Sequence, residues 1–160
     1  MKNLLFLLLI VSIQIHAAEN FAQASRGSKN NNPLNIRFSP QNHWLGQEGS
    51  DGAFCRFDSA ENGFRAAFLL IHRYMTAYGL NTVAQIITRW APPSENSTSA
   101  YTNFVCHRLQ CPQNKVVDFF SQDEICDLLA AMAAMESGVE FEMKIIRAAY
   151  CTALQSVASR

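Results

Sequence analysis

The segment RGSKNNNPLNIRF, residues 26–38, lies before the first long helical pattern of the chain and decides how the fold begins. Three consecutive asparagines lead into Pro33, and Asn35, Ile36 and Arg37 follow. Asparagine side chains bond to nearby backbone and tolerate left-handed geometry, and a proline keeps the residue before it extended. The segment therefore predicts a built turn leading into a short strand. The alternative is a plain polar surface loop, where such residues are also common.

The chain begins with the features of a secretory signal peptide. Lys2 is basic, residues 4–15 are apolar, and residues 17–18 are small alanines that suit a cleavage site. About a dozen apolar residues fall short of the roughly 20 that span a membrane, so we expect no stable anchor after cleavage. The sequence predicts a signal peptide over residues 1–17 and one periplasmic or secreted domain over residues 18–160.

Charge and motif content exclude several classes of ligand. The chain has 13 Lys and Arg and 13 Asp and Glu, a formal net charge of zero, whereas nucleic-acid-binding domains carry a basic excess. A neutral glycan remains compatible with this balance. No nucleotide-binding glycine loop is present, and the scattered histidines and cysteines lack the paired spacing of a zinc site. We expect no nucleic acid, metal or cofactor.

Five cysteines lie in the predicted exported part, at Cys55, Cys106, Cys111, Cys126 and Cys151. In an oxidising compartment they predict one or two disulfides with at least one thiol left over. Cys106 and Cys111 are close enough in sequence to close a small loop, but the spacing does not fix the pairing.

Hydrophobic periodicity predicts an α+β domain that is mostly helical. Residues 19–33 lack periodicity and predict a polar lead-in. Short aromatic pieces over residues 34–57 predict one or two hairpins, with Phe54 and Phe57 contributing to the core. Helical patterns then predict five helices. The first covers residues 60–78, the second is short and capped by Asn81, and the third begins at Asn96 or Ser97. The fourth begins with a capping box of Ser121 and Glu124 and ends near Met135, and the fifth covers residues 139–157.

Short motifs follow the asparagine segment in a fixed order: WLGQ at 44–47, DGAFCRF at 51–57, SAENGFRA at 59–66, GLNTV at 79–83 and IITRWAPPSEN at 86–96. This set resembles a family of small phage virion proteins with a lysozyme-like domain. It is similar, more loosely, to bacterial peptidoglycan N-acetylglucosaminidases of the flagellar muramidase type and to lytic transglycosylases. The resemblance covers residues 26–138 and implies a lysozyme-like single domain that acts on peptidoglycan glycan strands.

Glu136 is the main candidate for chemistry, at the end of the apolar helical pattern AAMAAMESG, residues 130–138. Desolvation there would raise the pKa of the carboxyl group and keep a proton available to the leaving oxygen of a glycoside. The alternative is a solvent-facing glutamate at a helix end, the usual location of a charged side chain. The resemblance favours catalysis, because lysozyme-like peptidoglycan glycosidases carry their catalytic glutamate in a Glu-Ser-Gly or Glu-Ser-Ser setting.

The order of the motifs departs from those glycosidases, in which the glutamate helix precedes the asparagine turn. Here Glu136 follows all the other motifs. Either the likeness around Glu136 is a coincidence, or the fold is circularly permuted. Permutation is tolerated when the chain termini lie close together at the surface.

Asp51 and Glu48 are candidates for an assisting carboxylate, which would have to lie about 5 to 9 Å from the first. Asp51 equally suits a turn before Gly52. A lytic transglycosylase can work with one glutamate, because the substrate's own hydroxyl attacks. Glu95 is a rival acid, or a structural loop residue paired with Arg89.

The resemblance also implies a set of residues that shape a glycan cleft: Asn31, Asn32, Asn35, Arg37 and Tyr101, the last beside the catalytic acid. Trp44 and Trp90 could stack on sugar rings, although large aromatics at helical spacing more often belong to the core. The sequence therefore predicts an exported enzyme that cleaves peptidoglycan glycan strands, with Glu136 as general acid. The alternative is a non-catalytic cell-wall-binding or virion-like structural protein, because fold does not imply activity.

Overall fold

The computed structural model of the protein describes residues 25–93 and 97–159. These residues form a mostly helical α+β fold, as predicted. The elements are α1 (Arg26–Lys29), β1 (Gln47–Ser50), β2 (Cys55–Phe57), α2 (Ala60–Tyr78), α3 (Val83–Trp90), α4 (Thr98–Leu109), α5 (Gln122–Ser137) and α6 (Met143–Ala158). The predicted signal peptide and Glu95 lie outside the described residues.

Helix α2 is the central element and matches its predicted bounds. The Ser59 hydroxyl caps it by accepting from the Asn62 amide at 3.3 Å, and Gly79 ends it with a left-handed φ of 67°. Phe64, Phe68 and Ile71 of this helix are fully buried. The helix packs along α6, so its apolar face forms much of the core.

Two predicted helix starts differ in detail from the structure. Thr82, not Asn81, caps α3, in a reciprocal capping box with Gln85. Helix α5 begins after Ser121, but the predicted capping box there is wrong, because the Ser121 side chain makes no capping bond. The Glu124 carboxylate instead accepts from Lys115 at 3.2 Å and from the backbone amide of Asp118 at 3.3 Å.

The last helix starts later than predicted. Helix α6 runs over Met143–Ala158, so the segment between Gly138 and Met143 connects α5 to α6 without being helical. Gly138, with a φ of 66°, ends α5 as expected. Glu136 lies in the last turn of α5, directly before this connection.

The asparagine segment is a built turn, as predicted, and the Asn32 side chain holds it closed. Asn32 is 0% exposed, and its amide donates to the carbonyls of Ile36 and Cys55, both at 2.9 Å. Its Oδ1 accepts from the backbone amide of Ile36 at 2.8 Å. The short strand predicted after the turn does not form; in its place, Arg37 makes an isolated antiparallel bridge with Phe54. One side chain thus links the turn to β2.

The neighbouring asparagines tie the same turn to the hairpin. The Asn30 amide donates to Asp51 at 2.8 Å, and the Asn31 amide donates to the carbonyls of Phe57 and Asp58 at 3.0 and 3.2 Å. The predicted polar lead-in is therefore more ordered than expected over residues 25–33, where it includes α1.

Helix α2 approaches this turn so closely that only glycine fits at position 63. A Cβ on Gly63 would lie 2.3 Å from the carbonyl oxygen of Asn31 and 2.8 Å from Cδ of Pro33. Such contacts would force the turn away from the helix. Gly63 therefore fixes the distance between the turn and α2.

Of the two hairpin aromatics expected in the core, Phe57 is 2% exposed and buried there. The prediction for Phe54 is wrong. Phe54 is half-buried, and the guanidinium groups of Arg26 and Arg37 lie 5.2 and 5.5 Å from the centre of its ring. Cation–π contact explains why this aromatic stays near the surface.

The predicted disulfides are also absent: all five cysteines, each within the described residues, are free thiols. Cys55 and Cys126 are 0% exposed and belong to the hydrophobic core. A buried thiol packs as a small apolar side chain.

Among the helices within residues 25–93 and 97–159, none combines the length and the apolar character that a membrane-spanning helix needs.

We predict that Asn32→Ala lowers the free energy of unfolding by about 3 kcal/mol, because buried backbone groups of Ile36 and Cys55 would lose their bonds to the Asn32 side chain. Urea denaturation followed by circular dichroism measures this change. The matched control is Asn114→Ala, at an exposed position, which should change stability by less than about 0.5 kcal/mol. Equal effects of the two substitutions would contradict the structural role given to Asn32.

Candidate functional site

A groove of about 580 Å³ opens beside the asparagine turn and contains Glu136; we call it the Glu136 groove. The residues after the turn, two α2 side chains, the end of α3 and the end of α5 form its walls. The residues that line it are Asn35, Ile36, Arg37, Phe38, Ser39, Asn42, Phe54, Leu70, Tyr74, Arg89, Trp90, Pro92 and Glu136.

Glu136 is half-buried in the last turn of α5 and faces the asparagine turn. The Asn35 amide donates to its carboxylate Oε2 and to its backbone carbonyl, both at 3.1 Å. This contact joins residues 101 positions apart in sequence. Of the asparagines expected to shape the cleft, Asn35 therefore faces Glu136.

Burial raises the pKa of Glu136 above its ordinary value, while hydrogen bonds from Asn35, Tyr101 and Trp90 partly oppose this effect. Desolvation disfavours the charged carboxylate, and donors favour it. The carbonyl groups at the C-terminal end of α5 add a negative partial charge close to the carboxyl, which also disfavours its ionisation. The site therefore holds a carboxyl group with a proton available closer to neutral pH than on the surface.

Asn35 reaches Glu136 because the turn places it in a left-handed conformation, with a φ of 50°. Its backbone amide donates to the carbonyl of Asn32 at 3.0 Å, so the turn that Asn32 holds closed also orients Asn35. Gly27 of α1 allows this approach. A Cβ there would lie 2.9 Å from the Asn32 carbonyl oxygen and 3.3 Å from both Asn35 Oδ1 and Ser137 Cβ.

Tyr101 lies behind Glu136, as the resemblance implied, and does not line the groove. It is 4% exposed, and its hydroxyl can donate its one proton either to the Met132 carbonyl, 3.4 Å away, or to the Glu136 carboxyl. Burial, followed by the nearby charge of Glu136, raises the pKa of Tyr101, so the phenol stays protonated. Tyr101 can therefore position Glu136 from the core side.

Four of the residues that the sequence offers for the site, Asn35, Arg37, Trp90 and Glu136, come together in the Glu136 groove. Asn31 and Asn32 do not. The prediction that Asn32 contacts a substrate is corrected, because its side chain is fully buried and bonded to backbone. The Asn31 amide is likewise committed to the carbonyls of Phe57 and Asp58.

Neither predicted assisting carboxylate lines the groove. The Asp51 carboxylate accepts from the amides of Phe54 at 2.9 Å and Ala53 at 3.1 Å, and it pairs with Arg26 at 3.3 Å. These bonds, that of Phe54 foremost, lower the pKa of Asp51 to about 2. Asp51 is thus the turn residue that its sequence context also allowed, and Glu48 is exposed on β1.

Trp44 lines a different cavity. This second cavity, of about 470 Å³, is here called the Trp44 groove. The Trp44 indole nitrogen is buried and has no hydrogen-bond partner within the described part of the chain. The predicted stacking of Trp44 on a sugar in the Glu136 groove therefore has no support from its location.

Part of the groove wall consists of residues that the sequence did not single out. Tyr74 lies four residues after Leu70 on α2, so the two side chains share one face, and both line the groove. The Arg89 guanidinium lies 5.7 Å from the Tyr74 ring centre and 5.3 Å from that of Tyr78. The i, i+4 spacing of Leu70 and Tyr74 was visible in the sequence, but nothing distinguished it from a core stripe.

Within residues 25–93 and 97–159, no group of three or more His, Cys, Asp or Glu side chains is placed to hold a metal ion. Among the described residues that line the Glu136 groove, Glu136 carries a carboxyl group that can donate a proton. Amide and aromatic side chains beside it can contact a polar, ring-containing ligand.

The sequence is similar to that of a phage protein. The chain is 35% identical over 120 residues to Protein P5 of Pseudoalteromonas phage PM2, a match that covers 72% of this chain and 73% of the relative. No protein-family model matches the sequence.

We predict that Glu136→Gln stabilises the protein increasingly as pH rises above 4.5, the ordinary pKa of a glutamate. The folded state has the higher pKa, so the contribution of the protonated carboxyl is full at low pH and is lost as pH rises through the folded pKa. Glutamine does not titrate and mimics the protonated form. Urea unfolding at a series of pH values from 3.5 to 8 measures the difference, on the order of tenths of a kcal/mol or more.

The control for this series is Asp127→Asn, which removes an exposed carboxylate of the same helix. Its effect should not rise with pH in this way. A stability difference for Glu136→Gln that stays constant or falls as pH rises would show that the Glu136 carboxyl is not desolvated.

Proposed function

This chain belongs to the same family as Protein P5 of Pseudoalteromonas phage PM2, and for this member we propose cleavage of the glycan strands of peptidoglycan, with Glu136 as the general acid. The single observation that carries the proposal is the half-buried Glu136 carboxyl, bonded to Asn35 at 3.1 Å inside an open groove. We further propose that the domain is exported and lysozyme-like, with its glutamate helix circularly permuted to follow the asparagine turn.

The first step is proton transfer from the Glu136 carboxyl to the oxygen of the glycosidic bond. The bond between that oxygen and the anomeric carbon breaks, and positive charge develops on the sugar ring. The Glu136 carboxylate that results is stabilised by the same donors, Asn35, Tyr101 and Trp90, that bond to it in the free protein. These donors thus stabilise the ionised Glu136 carboxylate, while burial favours the protonated carboxyl group.

The second step is attack on the anomeric carbon by an oxygen nucleophile, whose proton returns to Glu136. The nucleophile is either water, which gives hydrolysis, or a hydroxyl of the same sugar, which gives an anhydro product. Among the described residues that line the groove, Glu136 is the one that carries a carboxyl group. Glu136, acting first as acid and then as base, is sufficient for attack by the substrate's own hydroxyl, and we propose this attack as the second step.

The walls of the groove suit a carbohydrate. Trp90 and Tyr74 offer aromatic surface, and Asn42 offers an amide group, in the same lining as Glu136. Sugars present both apolar ring faces and hydroxyl groups, which match this mixture of side chains. A non-catalytic role in a virion is the second candidate, since the relative is a phage protein.

We predict that Glu136→Gln lowers the rate of peptidoglycan cleavage by about 10²- to 10⁴-fold, the usual contribution of a general acid. Release of soluble fragments from dye-labelled, purified cell walls measures the rate. Glu61→Gln, in the first turn of α2 and outside the groove, is the matched control and should keep the wild-type rate. Cleavage that survives Glu136→Gln would exclude Glu136 as the acid.

Mass spectrometry of the fragments separates the two second steps, because a hydrolysed product is heavier than an anhydro product by one water molecule. Anhydro products are the expected result. Binding of intact cell walls by the wild-type protein without any fragment release would contradict the enzymatic proposal and favour the structural role.

A further inference from the structure

The Trp44 groove adjoins the Glu136 groove, and no step proposed above uses it. Asn42 and Leu70 belong to the walls of both grooves. The other residues that line the Trp44 groove are Gln41, His43, Trp44, Leu69, His72, Arg73, Thr76 and Val157. A ligand that occupies the Glu136 groove would therefore pass close to a second cavity of about 470 Å³.

The charges of the Trp44 groove are unbalanced. Among the described residues, its lining contains one arginine, Arg73, and two histidines, and no Asp or Glu. Arg73 is exposed on α2, in a chain whose formal net charge is zero. The His72 ring packs against Phe119, with ring centres 4.8 Å apart, and so contributes mainly to the wall. A cationic cavity without carboxylates favours an anionic ligand.

The polar and apolar side chains of the Trp44 groove point to the same kind of ligand. Gln41 and Asn42 supply amide groups, and Leu69 and Val157 supply small apolar surfaces. Amides pair with peptide backbone, aliphatic side chains suit small apolar side chains, and a guanidinium binds carboxylate, if possible in a bidentate manner. A peptide with free carboxylates combines these three features, whereas a neutral glycan has no group for Arg73 to neutralise.

We propose that the Trp44 groove binds the anionic peptide branch of peptidoglycan while the glycan strand lies in the Glu136 groove. The branch leaves its sugar at the shared wall formed by Asn42 and Leu70, and its carboxylates meet Arg73. This proposal rests on the proposed function and narrows its substrate to glycan strands that carry peptides. Arg73 acts here as a specificity-determining residue and takes no part in the proton transfers.

The test compares two substrates: purified peptidoglycan fragments with intact peptides, and the same glycan strands stripped of peptides by an amidase. We expect wild-type protein to cleave the peptide-bearing strands with the higher kcat/KM. Arg73→Ala should lower that value about two- to fivefold, the usual size of one exposed charge pair, and leave cleavage of stripped strands unchanged. Arg73→Glu should lower it further, because repulsion replaces attraction.

The matched control is Arg56→Ala, which removes an exposed arginine of β2 that lines neither groove. It should leave both rates unchanged. The loss caused by Arg73→Ala should also shrink at high salt, because screening weakens an exposed charge pair. Equal rates of wild-type cleavage on the two substrates, or equal losses on both in Arg73→Ala, would overturn the proposal.

Binding measurements separate a failure of this inference from a failure of the proposed function. Isothermal titration of Glu136→Gln with a soluble peptide-bearing disaccharide, and with the same disaccharide without peptide, needs no catalysis. Tighter binding of the peptide-bearing form, lost in the double variant Glu136→Gln with Arg73→Ala, supports the groove even if the wild type cleaves neither substrate. Equal affinities for both ligands would overturn the inference while leaving glycan cleavage intact.

Discussion

The buried Asn32 side chain is the constraint on which the rest of this site depends. It bonds to Ile36 on both its donor and acceptor sides and to the Cys55 carbonyl of β2, so it closes the turn and attaches it to the hairpin. Because the Asn32 carbonyl accepts from the Asn35 amide, the same residue also orients Asn35. A buried polar side chain with all these partners specifies one conformation of the turn, whereas an apolar substitute would remove three hydrogen bonds to buried backbone groups.

The turn that Asn32 holds closed also shapes the surroundings of Glu136. Glu136 lies in the last turn of α5, where burial and the helix terminus disfavour its charge. Asn35, which belongs to the turn, donates a hydrogen bond to its carboxylate. Burial and hydrogen bonding act in opposite directions on the same carboxyl, so the proton is retained at higher pH yet the ionised form still has donors. That combination suits a group that gives up a proton and recovers it.

The sequence predicted the architecture well where local signals were strong. Helix α2 covers the predicted residues 60–78, because its side-chain cap at Ser59 and its left-handed glycine at position 79 act within a few residues. The roles of residues with distant partners were harder to predict from the sequence. Asn31 and Asn35 belong to the same turn, yet Asn31 bonds to the hairpin backbone and Asn35 bonds to Glu136. Composition likewise suggested disulfides, but whether Cys55 or Cys126 meets another thiol depends on core packing that no local pattern encodes.

The central claim is that Glu136 acts directly on a glycosidic bond held in the Glu136 groove. A crystal structure of the Glu136→Gln variant with a peptidoglycan glycan fragment tests it most directly, because the substitution keeps the shape of the side chain and removes the proton transfer. The account predicts a glycosidic oxygen within about 3 Å of the substituted side-chain amide, between Asn35 and Trp90. A fragment bound elsewhere on the surface, with the Glu136 groove empty, would contradict it.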